Sequence, residues 1–543
     1  MHLIVVQQKA PEEILKMTEN CRSVLIVGCS GCAGIIGVGG KKEADNLKAT
    51  LENQSSRADV SRREKIDVAP VVRQCDRQMA QELLHELASE YEALLSLACG
   101  VGAQTIADLY PDVLVIPAND TMFLGAHDGD GKFHELCRAC GDCILFETGS
   151  VCPLTRCPKG LLNGPCGGQV GGKCEVGGWK KDCAWVAIYR RLKSRDRLDL
   201  FRRFRPPRDH RVSEPPREIG SLANNAKKET MKELKTAKTG GREAYGKLMK
   251  ELMAGKFVFT GEFEPEKTTR LQEVVDGARM LRNCVTAINV TDNPTAFGYV
   301  NSLVPSYLIQ KEADVEAIYQ MTTRDRNRLG LLSDVLAAGA LGIKNILAIT
   351  GDYVTVGDTP QAKPVFDLDS AGFVYMLRRI VDDGVDLNGN VIEDPPKFNI
   401  GIAASPNADP LEPEVLKIER KVRLGADFIQ TQCVYSVEQA ERFMDAAAHF
   451  KTPVLFGVAP FKSLAMMDWM IKFVPGIKVP EELDRRLRKA REKSKEAFLE
   501  ENVQVFGDLI GKIRGRTRAS GVHVMAVGFE WIVPKVIERS NVA

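Results

Sequence analysis

The rear half of the chain alternates short apolar runs with longer segments in which apolar residues recur at helical spacing. Runs of the first kind predict strands, and segments of the second kind predict helices. The predicted strands are residues 257–263, 287–291, 317–322, 346–350, 398–404, 428–431, 454–458 and 523–527. The clearest predicted helices are 269–283, 326–339, 369–383, 413–424 and 437–449. Eight strand–helix units over about 290 residues predict a TIM (β/α)8 barrel for residues 256–543.

Polar residues follow several of these strands. The active site of a TIM barrel lies at the C-terminal ends of its strands, so the side chains just after each apolar run are the candidates. They are Glu262, Thr291, Asp292, Thr322, Thr323, Thr350, Gly351, Asp352, Ser405, Asn407 and Gln432, together with the loop after Val458.

The front of the chain, residues 1–130, also mixes strand and helix signals and is predicted to be an α/β domain. It opens with a strand and a helix that starts at a proline, and further strands are predicted at 23–28 and 112–117. The period of residues 82–97 predicts a helix. The strand at 23–28 runs directly into Cys29-Ser-Gly-Cys32, and ligands of α/β folds bind at such strand ends.

Cysteine is concentrated in residues 131–200, where eight of the 15 cysteines fall. Cys137, Cys140 and Cys143 form a C-x2-C-x2-C run, by which one tight loop presents three sulfurs to one cluster. The other five cysteines of this segment are Cys152, Cys157, Cys166, Cys174 and Cys183. Proline follows the first two of these, as it often follows a distal cluster ligand. Eight thiolates are enough for two four-ligand sites of iron–sulfur or zinc type, so we predict a metal-cluster domain.

A third set of four is formed by the pair Cys29 and Cys32 with the more distant Cys75 and Cys99. The alternative for Cys75 and Cys99 is a place in the hydrophobic core, because free cysteine is also a common core residue. The glycine-rich turn around the pair could alternatively hold a phosphate at a helix N-terminus. We interpret Cys21 as a core or surface thiol.

The composition disfavours a disulfide framework for these cysteines. Such frameworks belong to small secreted domains, whereas this chain has 543 residues and shows no export signal. Its net charge of +2 does not commit it to nucleic acid or to a membrane surface. The longest apolar stretch, 329–349, is interrupted by Asp334 and Lys344, so no membrane insertion is expected. We expect a cytoplasmic protein.

Residues 201–255 are predicted to connect the two halves. The basic, proline-rich run from Arg190 to Pro216 is typical of a solvated linker. A docking patch for an acidic electron carrier is the alternative. Residues 224–239 are polar, and 242–253 predict an amphipathic helix that leads into the barrel.

Four motifs of the barrel half resemble the methylenetetrahydrofolate reductase family: GEFEPE at 261–266, ITGD at 349–352, ERKVRLGADFIQTQ at 419–432 and GVAP at 457–460. The front half is similar to the cysteine-rich iron–sulfur or zinc partner subunit of acetogen-type reductases, with CRACGDC, CPLTRC, LLNGPCGG and KCEV in order. The chain therefore resembles a fusion of the two subunits.

The resemblance implies a flavin enzyme, with FMN or FAD, that reduces 5,10-methylenetetrahydrofolate to 5-methyltetrahydrofolate. Glu262 matches the family's catalytic glutamate, which promotes opening of the imidazolidine ring, and a partly desolvated carboxyl can stay protonated to act as that acid. Asp352 matches the aspartate between flavin and pterin, and Gln432 matches the glutamine that binds the pterin. The implied cofactor-binding residues are Thr291, Asp292, Gln320, Thr350, Gly351, Asp352, Ser370, Ser405 and Lys421.

The chain departs from the NAD(P)H-using relatives at four positions. Thr350 and Phe529 stand where those relatives have arginine, Gln320 stands for histidine, and Ser405 stands for tyrosine. These changes remove stacking groups and charge, which puts a nicotinamide site in doubt. The expected electron donor is reduced ferredoxin or a redox partner complex, acting through one to three 4Fe–4S clusters, with one zinc site as an option. We also expect a homo-oligomer.

Three alternatives stay open at this point. An NAD(P)H-dependent methylenetetrahydrofolate reductase would not need the clusters. A methyltransferase barrel that passes a folate methyl group to a corrinoid protein would not need a flavin. A zinc-stabilised front half would act only as a scaffold, because zinc is redox-silent.

Overall fold

The computed structural model describes residues 3–55, 64–214, 216–218 and 243–541. Contacts divide the chain into two compact units, Met1–Asp142 and Cys143–Ala543. The division falls inside the CRACGDC run, whereas the sequence predicted a single cysteine domain over 131–200. The predicted polar stretch 224–239 and the first residue of the predicted lead-in helix lie outside the described residues.

The first unit is an α/β structure with two sheets. Its strands are β1 (Leu3–Gln8), β2 (Ser23–Cys29), β3 (Lys65–Val71), β4 (Ala93–Ser96), β5 (Leu114–Pro117), β6 (Asn119–His127) and β7 (Phe133–Cys137). Its helices are α1 (Pro11–Met17), α2 (Cys32–Ile35), α3 (Lys41–Ser55), α4 (Arg77–Leu84) and α5 (Gly100–Leu109), with a 3-10 turn at Ala88–Glu90. A parallel sheet has the order β3-β2-β4-β5, and an antiparallel sheet has the order β1-β6-β7. Helices α1 and α3 cover one face of the parallel sheet, and α4 and α5 cover the other.

The helix predicted over residues 82–97 is wrong. The segment contains the end of α4, the 3-10 turn and strand β4, which pairs in parallel with β2. All four residues of β4 are buried. A strand buried on both faces shows no alternation of polar and apolar residues, so its pattern cannot be separated from that of a buried helix.

The second unit begins with the cysteine-rich segment, which has little regular structure. Its helices are α6 (Pro153–Arg156), α7 (Ala184–Lys193) and α8 (Leu198–Arg202), followed by a 3-10 turn at His210–Val212. Trp185 on α7 meets Phe201 on α8 edge to face, with 5.7 Å between ring centroids. These rings form a small apolar core that also includes Leu416 of the barrel.

The prediction of a solvated linker does not hold for Arg205 and Arg208 of the basic run. Arg205 and Arg208 are only 4% and 8% exposed. The Arg205 guanidinium donates to the carbonyl oxygens of Leu200 and Glu147 and to the Glu147 carboxylate. Planar guanidinium groups can bind several carbonyl oxygens at once, so arginine here ties irregular backbone together.

The rest of the second unit is a closed barrel of eight parallel strands, which confirms the predicted fold class. The strands are β8 (Val258–Phe263), β9 (Ala287–Val290), β10 (Glu316–Thr322), β11 (Asn345–Ile349), β12 (Asn399–Ala404), β13 (Phe428–Cys433), β14 (Val454–Val458) and β15 (Gly521–Val524). The helices are α9 (Lys247–Met253), α10 (Gln272–Leu281), α11 (Leu303–Ala313), α12 (Arg328–Ala340), α13 (Ser370–Asp383), α14 (Glu412–Leu424), α15 (Val437–Ala446), α16 (Leu464–Phe473), α17 (Glu481–Lys493), α18 (Lys495–Arg516) and α19 (Val533–Arg539). Three 3-10 turns lie at Pro294–Ala296, Val354–Val356 and Glu530–Ile532. Within the described ranges, no helix combines the length and apolar character needed to cross a membrane.

Asp369 joins the cysteine-rich segment to the barrel. Its Oδ1 accepts the backbone N–H of Gly372 at 2.8 Å and thereby caps the N-terminus of α13. Its Oδ2 accepts the backbone N–H groups of Leu162 and Asn163 at 3.1 and 2.6 Å. One buried carboxylate therefore fixes both a barrel helix and the LLNGP loop of the segment.

We expect Asp369→Ala to lower the free energy of unfolding by about 2–4 kcal/mol, because it removes a helix cap and leaves buried amide groups without an acceptor. Urea-induced unfolding measures this difference. The matched control is Asp383→Ala on the same helix, whose carboxylate is half exposed and pairs with Arg379. The control should change stability by less than about 0.5 kcal/mol. Equal losses in both variants would contradict the assignment.

Candidate active site at the barrel mouth

A cavity of about 940 Å³ opens at the C-terminal ends of the barrel strands. Every barrel residue that the sequence proposed as catalytic or cofactor-binding lines it: Glu262, Thr291, Asp292, Gln320, Thr350, Gly351, Asp352, Ser370, Ser405, Lys421 and Gln432. Thr323 and Asn407, which also follow strands, do not line it. The residues proposed from the sequence therefore converge on one cavity, and the role of each stays a prediction.

Glu262 lies at the end of β8, with its side chain only 11% exposed. Its Oε2 accepts the side-chain N–H of Gln320 at 3.1 Å and lies 3.1 Å from Nε2 of His523. A second carboxyl, that of Glu264, lies two residues further along the chain. Burial and the negative charge of Glu262 raise its pKa. One oxygen of the Glu262 carboxyl is thus held by the amide nitrogen of Gln320 and the ring nitrogen of His523.

Asp352 holds a strained loop at the rim of the cavity. Asn293, Thr295 and Ala296 all have positive φ angles, of 45°, 53° and 59°. The backbone N–H of Thr295 donates to Asp352 Oδ2 at 3.1 Å. Non-glycine residues in this region of φ cost free energy and cluster at functional sites. The carboxylate of Asp352 therefore shapes the loop as well as the electrostatics of the cavity.

Asp292 is already fully engaged by protein groups. Its Oδ2 accepts the backbone N–H and the hydroxyl of Thr322, at 2.8 and 3.0 Å. The guanidinium of Arg326 donates to both carboxylate oxygens, at 2.6 and 3.2 Å. This clamp between neighbouring strands supports the cavity wall, and direct contact of Asp292 with a cofactor stays a prediction.

Lys421 brings a buried positive charge to the cavity. It is 3% exposed, and no carboxylate lies within ion-pair distance of it among the described residues. Its neighbour on α14, Lys417, is neutralised by the carboxylate of Glu414 at 2.6 Å. Burial, reinforced by the charge of Lys417, lowers the pKa of Lys421 to about 7. An unpaired buried ammonium group favours an anion as its partner.

Two neutral groups complete this wall. The Thr350 hydroxyl donates to Ser370 Oγ at 3.1 Å, at the N-terminus of α13. Gln432 accepts the N–H of Cys433 through Oε1 at 3.0 Å. Its Nε2 has no hydrogen-bond partner within the described part of the chain, so both of its N–H groups are available to a ligand.

The cysteine-rich segment forms the opposite wall, which the sequence did not predict. Lys159, Cys166, Glu175 and Trp179 all line the cavity. Lys159 is 5% exposed, donates to the carbonyl oxygen of Gly351 at 2.8 Å and pairs with Glu175 at 2.6 Å. Burial lowers the pKa of Lys159, whereas the charges of Cys166, Glu175 and Asp352 raise it. The net shift of the pKa is upward. Nothing in the sequence around Lys159 marks it as a barrel contact.

Four cysteines of the second unit, Cys157, Cys166, Cys174 and Cys183, lie near enough to influence one another's pKa. Burial raises the pKa of Cys157 to about 12, and the neighbouring Cys166 and Cys174 add to the rise. The pKa of Cys183 rises to about 12 from burial and from the charges of Cys166 and Cys157. Backbone N–H groups face every sulfur, two residues along the chain in each case, at Lys159, Gly168, Val176 and Trp185. Hydrogen bonds of this kind stabilise thiolates that bind a metal.

The four cysteines predicted as a set in the first unit also converge. Cys29 ends β2, Cys75 follows β3, and Cys99 precedes α5 at the end of β4. Burial raises the pKa of Cys75, and the charges of Cys99, Cys29 and Cys32 contribute. The set thus lies at the carboxyl edge of a parallel sheet; the sequence analysis placed only Cys29 and Cys32 at such a strand end. Cys21 is buried in the core and supports the interpretation made for it.

Metal binding itself stays a prediction. Across residues 3–55, 64–214, 216–218 and 243–541, no three His, Cys, Asp or Glu side chains stand at the separations of metal ligands. The remaining predicted ligands differ in accessibility: Cys137 and Cys143 are exposed, and Cys140 and Cys152 are partly buried.

Two family models match the chain. One, described as methylenetetrahydrofolate reductase, covers residues 247–541 and so the whole barrel. The chain belongs to the methylenetetrahydrofolate reductase family. The other, described as methylene-tetrahydrofolate reductase C terminal, covers residues 116–211. The resemblance of the front half to an iron–sulfur subunit stays a prediction.

Curated relatives agree with the family. The chain is 24% identical over 295 residues to methylenetetrahydrofolate reductase 1 of Schizosaccharomyces pombe, covering 52% of this chain and 46% of that protein. It is 23% identical over 237 residues to 5,10-methylenetetrahydrofolate reductase of Pectobacterium carotovorum, covering 42% and 72%. The chain spans about half the length of the two yeast relatives it matches.

A solved structure from Clostridium thermocellum, described with two bound copies of 5-methyl-5,6,7,8-tetrahydrofolic acid, shares 15% identity. The match covers 55% of this chain and 100% of that chain, with a TM-score of 0.39. At that TM-score the likeness carries no conclusion about this site.

We expect Lys421→Met to stabilise the ligand-free protein near pH 6.5 and to lose this advantage near pH 10. The pKa of Lys421 is about 7 in the folded protein, whereas an unfolded lysine titrates near pH 10.4. Between these values the unfolded state binds more protons, so the wild type gains stability as the pH rises. Thermal midpoints measured across this pH range test the expectation.

The matched control is Arg423→Met on the same helix, whose side chain is half exposed. It should show no pH-dependent difference from the wild type. A Lys421→Met variant that is less stable than the wild type at every pH would contradict the account of an unpaired buried charge.

Proposed function

We propose that the chain reduces 5,10-methylenetetrahydrofolate to 5-methyltetrahydrofolate with a bound flavin. The observation that carries this proposal is the convergence of Glu262, Asp352 and Gln432, from three different strands, on one cavity whose floor holds an unpaired lysine. Family membership and the names of the curated relatives support the same reaction.

The residues present fit a flavin, FMN or FAD. Lys421 offers a buried cation for a flavin phosphate, and the hydroxyls of Thr350 and Ser370 lie at the N-terminus of α13, where phosphate oxygens are well bound. The cavity volume of about 940 Å³ is at the upper end of the range for cofactor sites, which leaves room for a pterin beside the flavin. When bound, the flavin would supply the hydride that reduces the methylene carbon.

The chain's own residues would promote opening of the imidazolidine ring. Glu262 would donate a proton to N10 of the folate, so that the bond between N10 and the methylene carbon breaks and N5 becomes an iminium cation. Asp352 would stabilise that cation through its negative charge. The free N–H groups of Gln432 would bind an acceptor of the pterin and fix its orientation.

The electrons would come through the cysteine-rich segment. The set Cys157, Cys166, Cys174 and Cys183 is the proposed site of an iron–sulfur cluster, because each sulfur faces a backbone N–H. Within the described residues no three of these thiols stand at ligand separations, so binding would draw the side chains together. Cys166 lines the cavity itself, so a cluster held there would adjoin the flavin. Reduced ferredoxin or a redox partner complex is the proposed donor.

Glu262→Gln should abolish dye-linked reduction of 5,10-methylenetetrahydrofolate by at least about 10²-fold, because the proton donor is lost. The reaction is followed anaerobically with a reduced viologen dye. Dye oxidation in the absence of folate should be kept, since that reaction does not need the acid. Full folate activity in the variant would discard the role of Glu262.

Cys183→Ser should lower the iron content by about four atoms per chain and the acid-labile sulfide by the same amount, because a 4Fe–4S cluster needs four thiolates. Iron, zinc, sulfide and flavin are measured on protein prepared without oxygen. Cys284→Ser is the control, because Cys284 lies in the barrel outside the predicted sets, and it should leave iron unchanged. Zinc in place of iron would overturn electron delivery by this set.

A further inference from the structure

A chain of polar side chains runs from Glu262 across the inside of the barrel, and His523, Gln430 and Asn289 in it also line the cavity. His523 Nε2 lies 3.1 Å from Glu262 Oε2, and His523 Nδ1 lies 2.9 Å from the hydroxyl of Thr260. Gln430 donates to that hydroxyl at 3.2 Å. Gln430 and Asn289 then exchange hydrogen bonds at 2.8 and 3.1 Å. The four residues behind Glu262 are at most 3% exposed.

The chain has a defined direction. The reciprocal pair of Gln430 and Asn289 places an N–H of Gln430 against the Thr260 oxygen, so the Thr260 hydroxyl hydrogen is left for His523. A hydroxyl that donates to Nδ1 makes that ring nitrogen an acceptor. The proton of the neutral imidazole is then on Nε2, which faces Glu262.

This arrangement assigns the two oxygens of Glu262 different tasks. Oε2 accepts N–H groups from both Gln320 and His523. Oε1 has no hydrogen-bond partner within the described residues, and Glu262 lines the cavity. An oxygen that already accepts two N–H donors is a poor place for a proton, so a proton that Glu262 carries belongs on Oε1.

We propose that His523 is a positioning residue that keeps the acid proton of Glu262 on Oε1 and stabilises the carboxylate left after proton transfer. This rests on the proposed function. In the step concerned, the O–H bond at Oε1 breaks and an N–H bond forms at N10 of the folate. The bond from N10 to the methylene carbon breaks, its electron pair stays on N10, and the N5 lone pair completes the iminium. The donors at Oε2 are in place before the charge develops, which is how preorganised groups lower a barrier.

His523 acts as a fixed donor rather than as a proton shuttle. Beyond Thr260 the chain ends in the reciprocal amide pair, whose members are 3% and 0% exposed. Neutral amide groups do not relay protons, so no proton passes along the chain beyond Thr260. Glu262 therefore regains its proton from the cavity side after each turnover.

Thr260→Val tests the proposal, because it removes the hydroxyl that orients His523 while keeping the volume of the side chain. Without the Thr260 hydroxyl, the imidazole of His523 is free to carry its proton on Nδ1. Glu262 then loses an N–H donor. Loss of a donor to a carboxylate raises its pKa. We expect the rate of the folate step to fall about 10- to 100-fold and its alkaline limb to move to higher pH, with the KM for folate within about twofold of the wild type.

The step is measured by mixing dithionite-reduced holoenzyme with 5,10-methylenetetrahydrofolate and following flavin reoxidation across pH. Thr260→Ser, which keeps the hydroxyl, should restore the wild-type profile. Thr286→Val is the matched control. Thr286 lies in the loop before β9, and its hydroxyl donates to Glu251 on α9 rather than to this network. Reduction of the flavin by dithionite should be unchanged in every variant.

An unshifted pH profile in Thr260→Val, or an equal loss in Thr260→Ser, would overturn the positioning role. Failure of folate to reoxidise the wild-type flavin would instead overturn the proposed function, so the two outcomes are distinguishable. A parallel rate loss in Thr286→Val would show that the effect is one of general packing.

Discussion

The burial of charge between the cysteine-rich segment and the barrel is the constraint on which the site depends. Lys159 and Asp369 find their partners across this contact, at Gly351 and at the amides of Leu162 and Asn163. Arg420 of the barrel likewise donates to the carbonyl oxygens of Asn163 and Phe201. A buried charge without a partner costs several kcal/mol, so neither side of the contact is stable in this form without the other.

This constraint explains why the cavity has two kinds of wall. The barrel strands contribute carboxylates and amides suited to a pterin, and the segment contributes Cys166 and the pair of Lys159 with Glu175. The same contact that closes the cavity places a four-thiol set beside it. A single packing arrangement therefore builds the cavity and brings Cys166 to its wall.

The barrel could be predicted from sequence because each strand is a short apolar run with polar residues at its end, and Glu262, Asp352 and Gln432 occupy those ends. Strand β4 could not, because burial on both faces removes its alternation. His523 could have been found, since it is a polar residue inside an apolar strand. Lys159 and Arg205 could not, because each binds a backbone oxygen distant in sequence, of Gly351 and of Glu147, which leaves no pattern in the residues around it.

Counting electrons tests the central claim most directly. Anaerobic holoenzyme is titrated with dithionite and then mixed with excess 5,10-methylenetetrahydrofolate. The account predicts an uptake of more than two electrons per flavin, about one further electron for each 4Fe–4S cluster. All of them should be withdrawn as one 5-methyltetrahydrofolate for every two electrons, because odd electrons pair by exchange between protein molecules. An uptake of only two electrons, or extra electrons that remain on the protein after folate is added, would contradict it.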